Sequence, residues 1–196
     1  MARMSAIARK TNETDISLNL TLEGTGQFAG ATGVGFMDHM LTLFAHHGRF
    51  DLTIACTGDT CVDDHHTVED MGIALGQAFA EALGDRRGIT RYGSFLLPMD
   101  EALVQIALDI SGRACLCYGL ELPTEKIGSF DTELVEEFLL GFTRSLQAGI
   151  HVRQLAGGNS HHIVEAMFKG LGRALAIACA IDPRTAGEIP STKGSL

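Results

Sequence analysis

Two copies of one short motif, His-His-x-x-Glu, carry the residues of this chain that are best suited to chemistry. The first copy is His65-His66-Thr67-Val68-Glu69, and the second, His161-His162-Ile163-Val164-Glu165, begins 96 residues later. Adjacent residues on a helix point about 100° apart, so the two histidines of one pair cannot easily bind the same ion. The glutamate, at i+3 and i+4, lies on the same face as either histidine. The two copies therefore predict a paired-metal centre with pseudo-twofold symmetry, in which each copy completes a site of the other.

The types of ligand restrict the metal. Imidazole and carboxylate donors without a nearby thiolate suit manganese, iron or cobalt better than a tetrahedral structural zinc. A single His-His-x-x-Glu is most simply a polar helix start that faces solvent or an interface. Two copies at equivalent positions of a repeat favour metal binding, because random substitutions after a duplication would not be expected to leave both motifs intact.

Composition excludes several classes of protein. The 196 residues carry a net charge of −9 and are 45% hydrophobic, as expected for an ordinary globular chain without a nucleic-acid surface. No apolar run is long enough to cross a membrane, and the first residues lack the apolar core of a signal peptide. Five cysteines, an odd number, predict reduced thiols and a cytoplasmic location. Cys115 and Cys117 have strand spacing, and we expect them to be buried small side chains rather than metal ligands.

The sequence also indicates an internal duplication of one structural unit. Three pairs of segments match between the halves: strands at 13–24 and 101–112, helices at 37–44 and 135–142, and strands at 50–55 and 150–155. The two paired-histidine helices form a fourth pair. They are preceded by the capping residues Asp63-Asp64 and Asn159-Ser160. This pattern predicts an α+β fold with two β-sheets, each carrying helices on one face and packed through them as a pseudo-twofold sandwich. We expect a single domain over 1–196, with halves at about 7–92 and 93–193. His39 is the repeat partner of Glu137, and each is a candidate fourth ligand for one ion.

A second constellation is cationic. Arg91, Arg113 and Lys193 lie beside glycine and hydroxyl residues, a setting that can bind phosphate through charge-assisted hydrogen bonds. Isolated basic residues are more often solvated surface, and both interpretations stay open on the residues alone. The turn 157–160 can likewise present N–H groups to an anion or act as a plain helix cap.

Six segments together resemble a known family. They are Phe36–Leu41, Asp64–Asp70, Pro98–Ala102, Asp109–Arg113, Gly158–Ala166 and Ser191–Gly194, and in this order they are similar to imidazoleglycerol-phosphate dehydratase of histidine biosynthesis. The resemblance covers nearly the whole chain, which leaves no room for the histidinol-phosphatase domain that is fused to some family members.

The resemblance implies a hydro-lyase that converts D-erythro-imidazole glycerol phosphate into imidazole acetol phosphate and water in L-histidine biosynthesis. The reaction would pass through an imidazolate held between two Mn²⁺ ions per active site. The metal ligands implied for one ion are His39, His66, Glu69 and His161, and those for the other are His65, His162, Glu165 and Glu137. Family members often have a histidine at the last of these positions.

The same resemblance implies the substrate contacts and the assembly. Six residues match substrate positions of the family: Glu13, His47, Arg91, Arg113, Ser191 and Lys193. The serine and the basic residues of this set would contact the phosphate. Seven of the implied metal ligands would also reach the substrate: His39, His65, His66, Glu69, His161, His162 and Glu165. The catalytic set would be Glu13, His65 and Glu165, with Glu13 as the base that removes the C–H proton. Thr42-Leu43 stands where the family often has polar residues. Family members form 24-subunit homo-oligomers with active sites shared between subunits, and we expect no nucleic-acid or membrane partner.

Three alternatives come from other classes. A di-metal hydrolase would use similar clusters, but it would release phosphate. A ferritin-like metal-storage protein needs four long helices and the order Glu-x-x-His, and an inert duplicated scaffold would bind no metal.

Overall fold

Two four-stranded β-sheets and four helices form the part of the chain that the computed structural model describes, residues 2–185 and 187–196. The first half contains β1 (Met4–Lys10), β2 (Thr14–Thr21), β3 (Phe28–Ala31), α1 (Gly35–Gly48), β4 (Asp51–Gly58) and α2 (His65–Leu83). The second contains β5 (Tyr92–Met99), β6 (Ala102–Asp109), β7 (Cys115–Gly119), a hairpin of β8 (Lys126–Ile127) and β9 (Phe130–Asp131), α3 (Leu134–Leu146), β10 (Gly149–Ala156) and α4 (Ser160–Cys179).

The two sheets repeat one topology. Their strand orders are β1-β2-β4-β3 and β5-β6-β10-β7, with the last strand parallel to its neighbour in both. The pairing register is also repeated, since Ile7 faces Leu18 in one sheet and Phe95 faces Ile106 in the other, each 88 residues further on. The predicted fold class, a duplicated α+β sandwich, is confirmed.

Alternating burial gives each sheet one apolar face. Along β2, Ile16, Leu18 and Leu20 are buried, and the residues between them are exposed. This period-two pattern places every second side chain against the helices. No helix among the described residues combines the length and the apolar character needed to cross a membrane.

The halves are joined by close helix–helix contacts, in which α2 packs against α3 and α1 packs against α4. A Cβ on Gly76 would lie 2.5 Å from the carbonyl oxygen of Phe142, and one on Gly172 would lie 2.6 Å from that of Phe44. These are equivalent positions of the two halves. Phe79 continues the contact into the core, with its ring edge-on to both Phe44 and Phe142. The helix starts that carry the histidine pairs are therefore held against the opposite half.

Each sheet also contains a strand outside the segments predicted at 13–24 and 101–112, namely β1 and β5. Two local expectations need correction. Cys115 is exposed and Cys117 is only partly buried, because both lie on β7, an edge strand, and face outwards beside the exposed His151. Asp64 makes no capping hydrogen bond in α2, where the N–H of His65 donates to Asp63 Oδ1 at 2.8 Å.

The glycine contacts lead to a test of stability. Gly76→Ala and Gly172→Ala should each push a helix pair apart and destabilise the protein by about 1–3 kcal/mol or more, because overpacking costs this much. The better helix propensity of alanine offsets only about 1 kcal/mol. Gly35→Ala is the matched control, since nothing lies within 4 Å of a Cβ at that helical position. Denaturant unfolding measures the effect, and Gly76→Ala and Gly172→Ala midpoints equal to that of Gly35→Ala would contradict the steric argument.

Candidate active site

The starts of α1 and α4 meet at a cluster of three metal-ligating side chains. His161 Nε2 lies 3.2 Å from Glu165 Oε2, and His39 Nε2 lies 3.9 Å from the same oxygen. The ligand atoms of the three residues are all within 4.8 Å of one another. Glu165 is buried, whereas the side chains of His39 and His161 are 49% and 41% exposed. Two imidazoles and a carboxylate, contributed by both halves and open on one side, fit a divalent ion of the manganese type.

Lys169 holds the carboxylate of this cluster. Its Nζ donates to Glu165 Oε1 at 2.5 Å. Burial alone would raise the pKa of Glu165, but the hydrogen bond and charge of Lys169, with the nearby His161 and His39, lower it below its usual value. The carboxylate therefore stays ionised, as a metal ligand must. Sequence reasoning missed Lys169, although its i+4 spacing from Glu165 was an available signal.

The second histidine of the pair points elsewhere, as the helical rotation requires. The rings of His161 and His162 are inclined at 83°. His162 Nδ1 pairs with Glu101 Oε2 at 2.7 Å, and Glu101 also accepts the N–H of Asn159 at 3.0 Å. The hydrogen bond from His162 is the main reason that the pKa of Glu101 falls to about 2, and the same bond raises the pKa of His162. Glu101 was also missed, although it is the repeat partner of Glu13.

The first half shows a related arrangement around His66. Its Nδ1 lies 3.0 Å from Asp59 Oδ2, and its Nε2 lies 3.9 Å from Glu13 Oε1. The hydrogen bond with Asp59 raises the pKa of His66. Glu13 occupies the turn between β1 and β2 with its side chain half-exposed. His66 thus lies between a structural carboxylate and the predicted base.

The remaining predicted ligands are not assembled into a second cluster. Across residues 2–185 and 187–196, only His39, His161 and Glu165 form a group of three such ligands. Their repeat counterparts are Glu137, His65 and Glu69, on the neighbouring helices α3 and α2. The observed grouping differs from the ligand division that the resemblance implies, in which Glu165 binds the other ion.

Arg91 organises the predicted anion site. Its guanidinium donates to both carboxylate oxygens of Asp109, at 2.7 and 3.1 Å, and to the carbonyl oxygen of Pro190 at 2.8 Å. These bonds hold Arg91 against the end of β6, just before the turn 111–113 that carries Arg113, and against Pro190, which precedes Ser191 and Lys193. Within that segment, Ser191 Oγ accepts the N–H of Lys193 at 3.2 Å. The structure thus brings the segments of all four predicted phosphate residues into one region.

His47 lies in the last turn of α1. Its pKa is lowered, chiefly by burial and also by the positive charges of Lys169, His46 and Arg173. An imidazole whose pKa is lowered in this way can donate an N–H hydrogen bond to an anion without carrying a charge.

The metal cluster and the anion site lie at opposite ends of the same elements. Glu101, which pairs with His162, precedes β6, and Asp109, which pairs with Arg91, ends it. At about 3.3 Å per residue, this strand spans roughly 26 Å. α4 gives a similar length, because His161 is in its first turn and Ala178, whose carbonyl accepts the N–H of Arg91, is in its last. One small molecule cannot reach both ends of a single chain.

Comparison with known proteins places these features in one family. Residues 32–175 match the family model described as imidazoleglycerol-phosphate dehydratase. A curated protein of that name from Dinoroseobacter shibae is 60% identical over 194 residues, which cover 99% of this chain and 100% of the relative. Another, from Parasynechococcus marenigrum, is 58% identical over 100% of this chain and 97% of its own length.

Solved structures agree with the sequence relatives. Imidazoleglycerol-phosphate dehydratase from Staphylococcus aureus superposes with a TM-score of 0.83 at 39% identity, covering 91% of this chain and 99% of the other. The enzyme from Pyrococcus furiosus gives the same TM-score and identity over 97% and 100%. The interleaved strands exclude a ferritin-like bundle. The chain belongs to the imidazoleglycerol-phosphate dehydratase family.

Proposed function

We propose that this protein dehydrates D-erythro-imidazole glycerol phosphate to imidazole acetol phosphate and water, a step of L-histidine biosynthesis. The whole chain, 1–196, would act as one dehydratase domain. The observation that carries the proposal is the His39–His161–Glu165 cluster, built from both halves of a chain of this family.

We assign two Mn²⁺ ions to each active site. Each ion would take a His–Glu pair from one half and one residue from the other. The residues are His39, His161 and Glu165 for one ion and, by repeat symmetry, Glu137, His65 and Glu69 for the second. His66 and His162, which point away from their own clusters, are left to complete centres of neighbouring copies. The ions would supply Lewis-acid stabilisation of negative charge on the imidazole ring.

Glu13 is the proposed base. The hydrogen that leaves the glycerol chain is not beside a carbonyl group, so its removal needs a carboxylate held close to it. Among the described residues the Glu13 carboxylate makes no hydrogen bond, and it lies 3.9 Å from His66 Nε2. Its repeat partner Glu101, in contrast, is engaged by His162 and the N–H of Asn159. Glu13 is therefore the carboxylate of the pair that is free to accept a proton.

The anion site would hold the phosphate and orient the reacting carbons. Arg91, Arg113 and Lys193 supply charge, Ser191 supplies a hydroxyl group, and His47 supplies a neutral imidazole. Binding energy from the phosphate, which does not react, restricts the motion of the reacting end.

The active sites would lie between chains. The predicted metal ligands and phosphate residues of one chain are about 25 Å apart along α4, so a complete site needs one end of one copy and the other end of another. This separation supports a homo-oligomer, for which we propose the 24 subunits that the resemblance implies.

Replacing the base gives the first functional test. Glu13→Gln should lower kcat by roughly 10²–10⁴-fold, the usual contribution of a general base, and should leave manganese content unchanged. Asp15→Asn is the matched control, an exposed carboxylate two residues away that pairs with Lys10. The assay follows ketone formation from imidazole glycerol phosphate with manganese. An active Glu13→Gln enzyme would remove Glu13 from this role, and release of inorganic phosphate would identify a hydrolase instead.

Removing a ligand tests the metal assignment. His161→Ala should weaken manganese binding by at least about tenfold, since even outer-shell partners of a metal contribute that much. His151→Ala is the control, because His151 is exposed on the outer face of β10. Metal analysis of the purified proteins measures the effect, and equal manganese content in the two variants would count against the cluster as a metal site.

Mixed oligomers test the shared site. His161→Ala and Arg113→Ala each should be inactive alone, because each spoils one end of the chain. Subunits of the two variants, dissociated and reassembled together, should recover part of the wild-type rate at sites built from intact ends. No recovery, despite mixed assembly shown by mass spectrometry, would indicate that each chain forms its site by itself.

A further inference from the structure

A buried polar network links β1, β2 and α2 in the first half. Arg9 Nη2 donates to Asp70 Oδ1 at 2.6 Å, and Thr14 Oγ1 donates to Asp70 Oδ2 at 2.5 Å. Asp70 and Thr14 are buried, with 6% and 3% of their surfaces exposed. The side chain of Arg9 is 26% exposed, so the pair must overcome the desolvation of the Asp70 charge and part of that of Arg9. Apolar residues of similar shape are often at least as stabilising as a buried pair.

The second half contains that apolar solution. The repeat counterparts of Arg9, Thr14 and Asp70 are Leu97, Ala102 and Ala166, and all three belong to the hydrophobic core. The backbone around them is the same, since Arg9 pairs with Ile16 in one sheet and Leu97 pairs with Val104 in the other. The shared fold therefore forms without the network, and its presence in one half alone points to a role other than folding.

The network leads to the turn that carries Glu13. Thr14 Oγ1 lies 3.3 Å from Thr11 Oγ1, and the Thr11 hydroxyl accepts the N–H groups of Glu13 and Thr14 at 3.1 and 3.0 Å. At its other end, Asp70 directly follows the predicted ligand Glu69 on α2. The hydrogen bonds thus connect the backbone of the proposed base to the helix that carries His65, His66 and Glu69.

Glu13 and Glu101 are held in different ways. Glu101 is fixed through its own carboxylate, which bonds to His162 and to the N–H of Asn159. The Glu13 carboxylate makes no hydrogen bond among the described residues, whereas its backbone N–H donates to Thr11 Oγ1, so its position is set through the backbone. We propose that Arg9, Thr14 and Asp70 form a positioning network that sets the Glu13 carboxylate at its working distance from the metal-binding start of α2. This inference rests on the proposed role of Glu13.

The duplication supplies the variant that tests it. The triple substitution Arg9→Leu, Thr14→Ala and Asp70→Ala copies the side chains of the second half into the first. The variant should assemble and bind manganese normally, with KM little changed and kcat lowered about 10–100-fold, because a misplacement of about 1 Å can cost that much. Thr14→Ala alone should act in the same direction, and Thr14→Ser, which keeps the hydroxyl, should restore most of the rate.

Two controls separate positioning from a general structural role. Thr143→Val removes a buried hydroxyl group that has no hydrogen-bond partner among the described residues, and it should leave kcat unchanged. In a Glu13→Gln background, the triple substitution should cause no further loss of rate, because there is no base left to misplace.

Three outcomes would overturn the inference. They are a wild-type kcat in both the triple variant and Thr14→Ala, a fall in metal content or assembly that parallels the loss of rate, and an equal loss in the Glu13→Gln background. Full activity of Glu13→Gln by itself would be a separate result, because it would remove the proposed base rather than the network.

Discussion

The close approach of helices from opposite halves is the constraint on which the site depends. Glycine at 76 and 172 lets the backbone of one helix meet the carbonyl groups of the next, at Phe142 and Phe44. This contact brings His39 of α1 beside His161 and Glu165 of α4, so that a metal-ligating cluster contains residues separated by more than half of the sequence. A methyl group added at such a glycine would displace the helix and separate these ligands, because packed interiors transmit strain rather than absorb it.

The two halves share a backbone and differ in what is attached to it. Strand register, helix contacts and the His-His-x-x-Glu motifs are repeated in both halves. The polar side chains that pack around the motifs differ between the halves. Glu101 is bound tightly by His162, and Glu13 is left free. Arg9, Thr14 and Asp70 are replaced by an apolar set. The repeated features are those that hold the helices with the candidate metal ligands, and the features found once lie around the proposed base. This division would suit the proposed dehydration, in which two ions hold the imidazole ring symmetrically and one base acts on the glycerol chain.

Most of the fold could be predicted from the sequence, because the alternation of apolar and polar residues along β2 and β6 directly reflects which side chains are buried. The different directions of the two adjacent histidine side chains also follow from helical rotation. The structure shows this in the rings of His161 and His162, whose planes are inclined at 83°. What sequence did not reveal depends on tertiary contacts. The cysteines of β7 face outwards because Leu116 and Tyr118, which alternate with them, pack against the core. The grouping of Glu165 with His39 and His161 follows from how α1 meets α4. Glu101 acts through His162, a partner 61 residues away that periodicity does not identify. The i+4 spacing of Lys169 from Glu165 indicates the pairing, but not the burial of both side chains.

The length of α4 has a consequence for populations of mixed chains. With metal ligands at its first turn and the Arg91 contact at its last, each polypeptide would donate opposite ends to different catalytic centres. In a cell that carries two alleles, a substitution at one end of the chain would inactivate the catalytic centres to which that end contributes. The other end of the same chain would still contribute to an active centre with a neighbouring subunit. Alleles damaged at opposite ends would then support growth together where neither does alone, whereas two lesions at the same end would not.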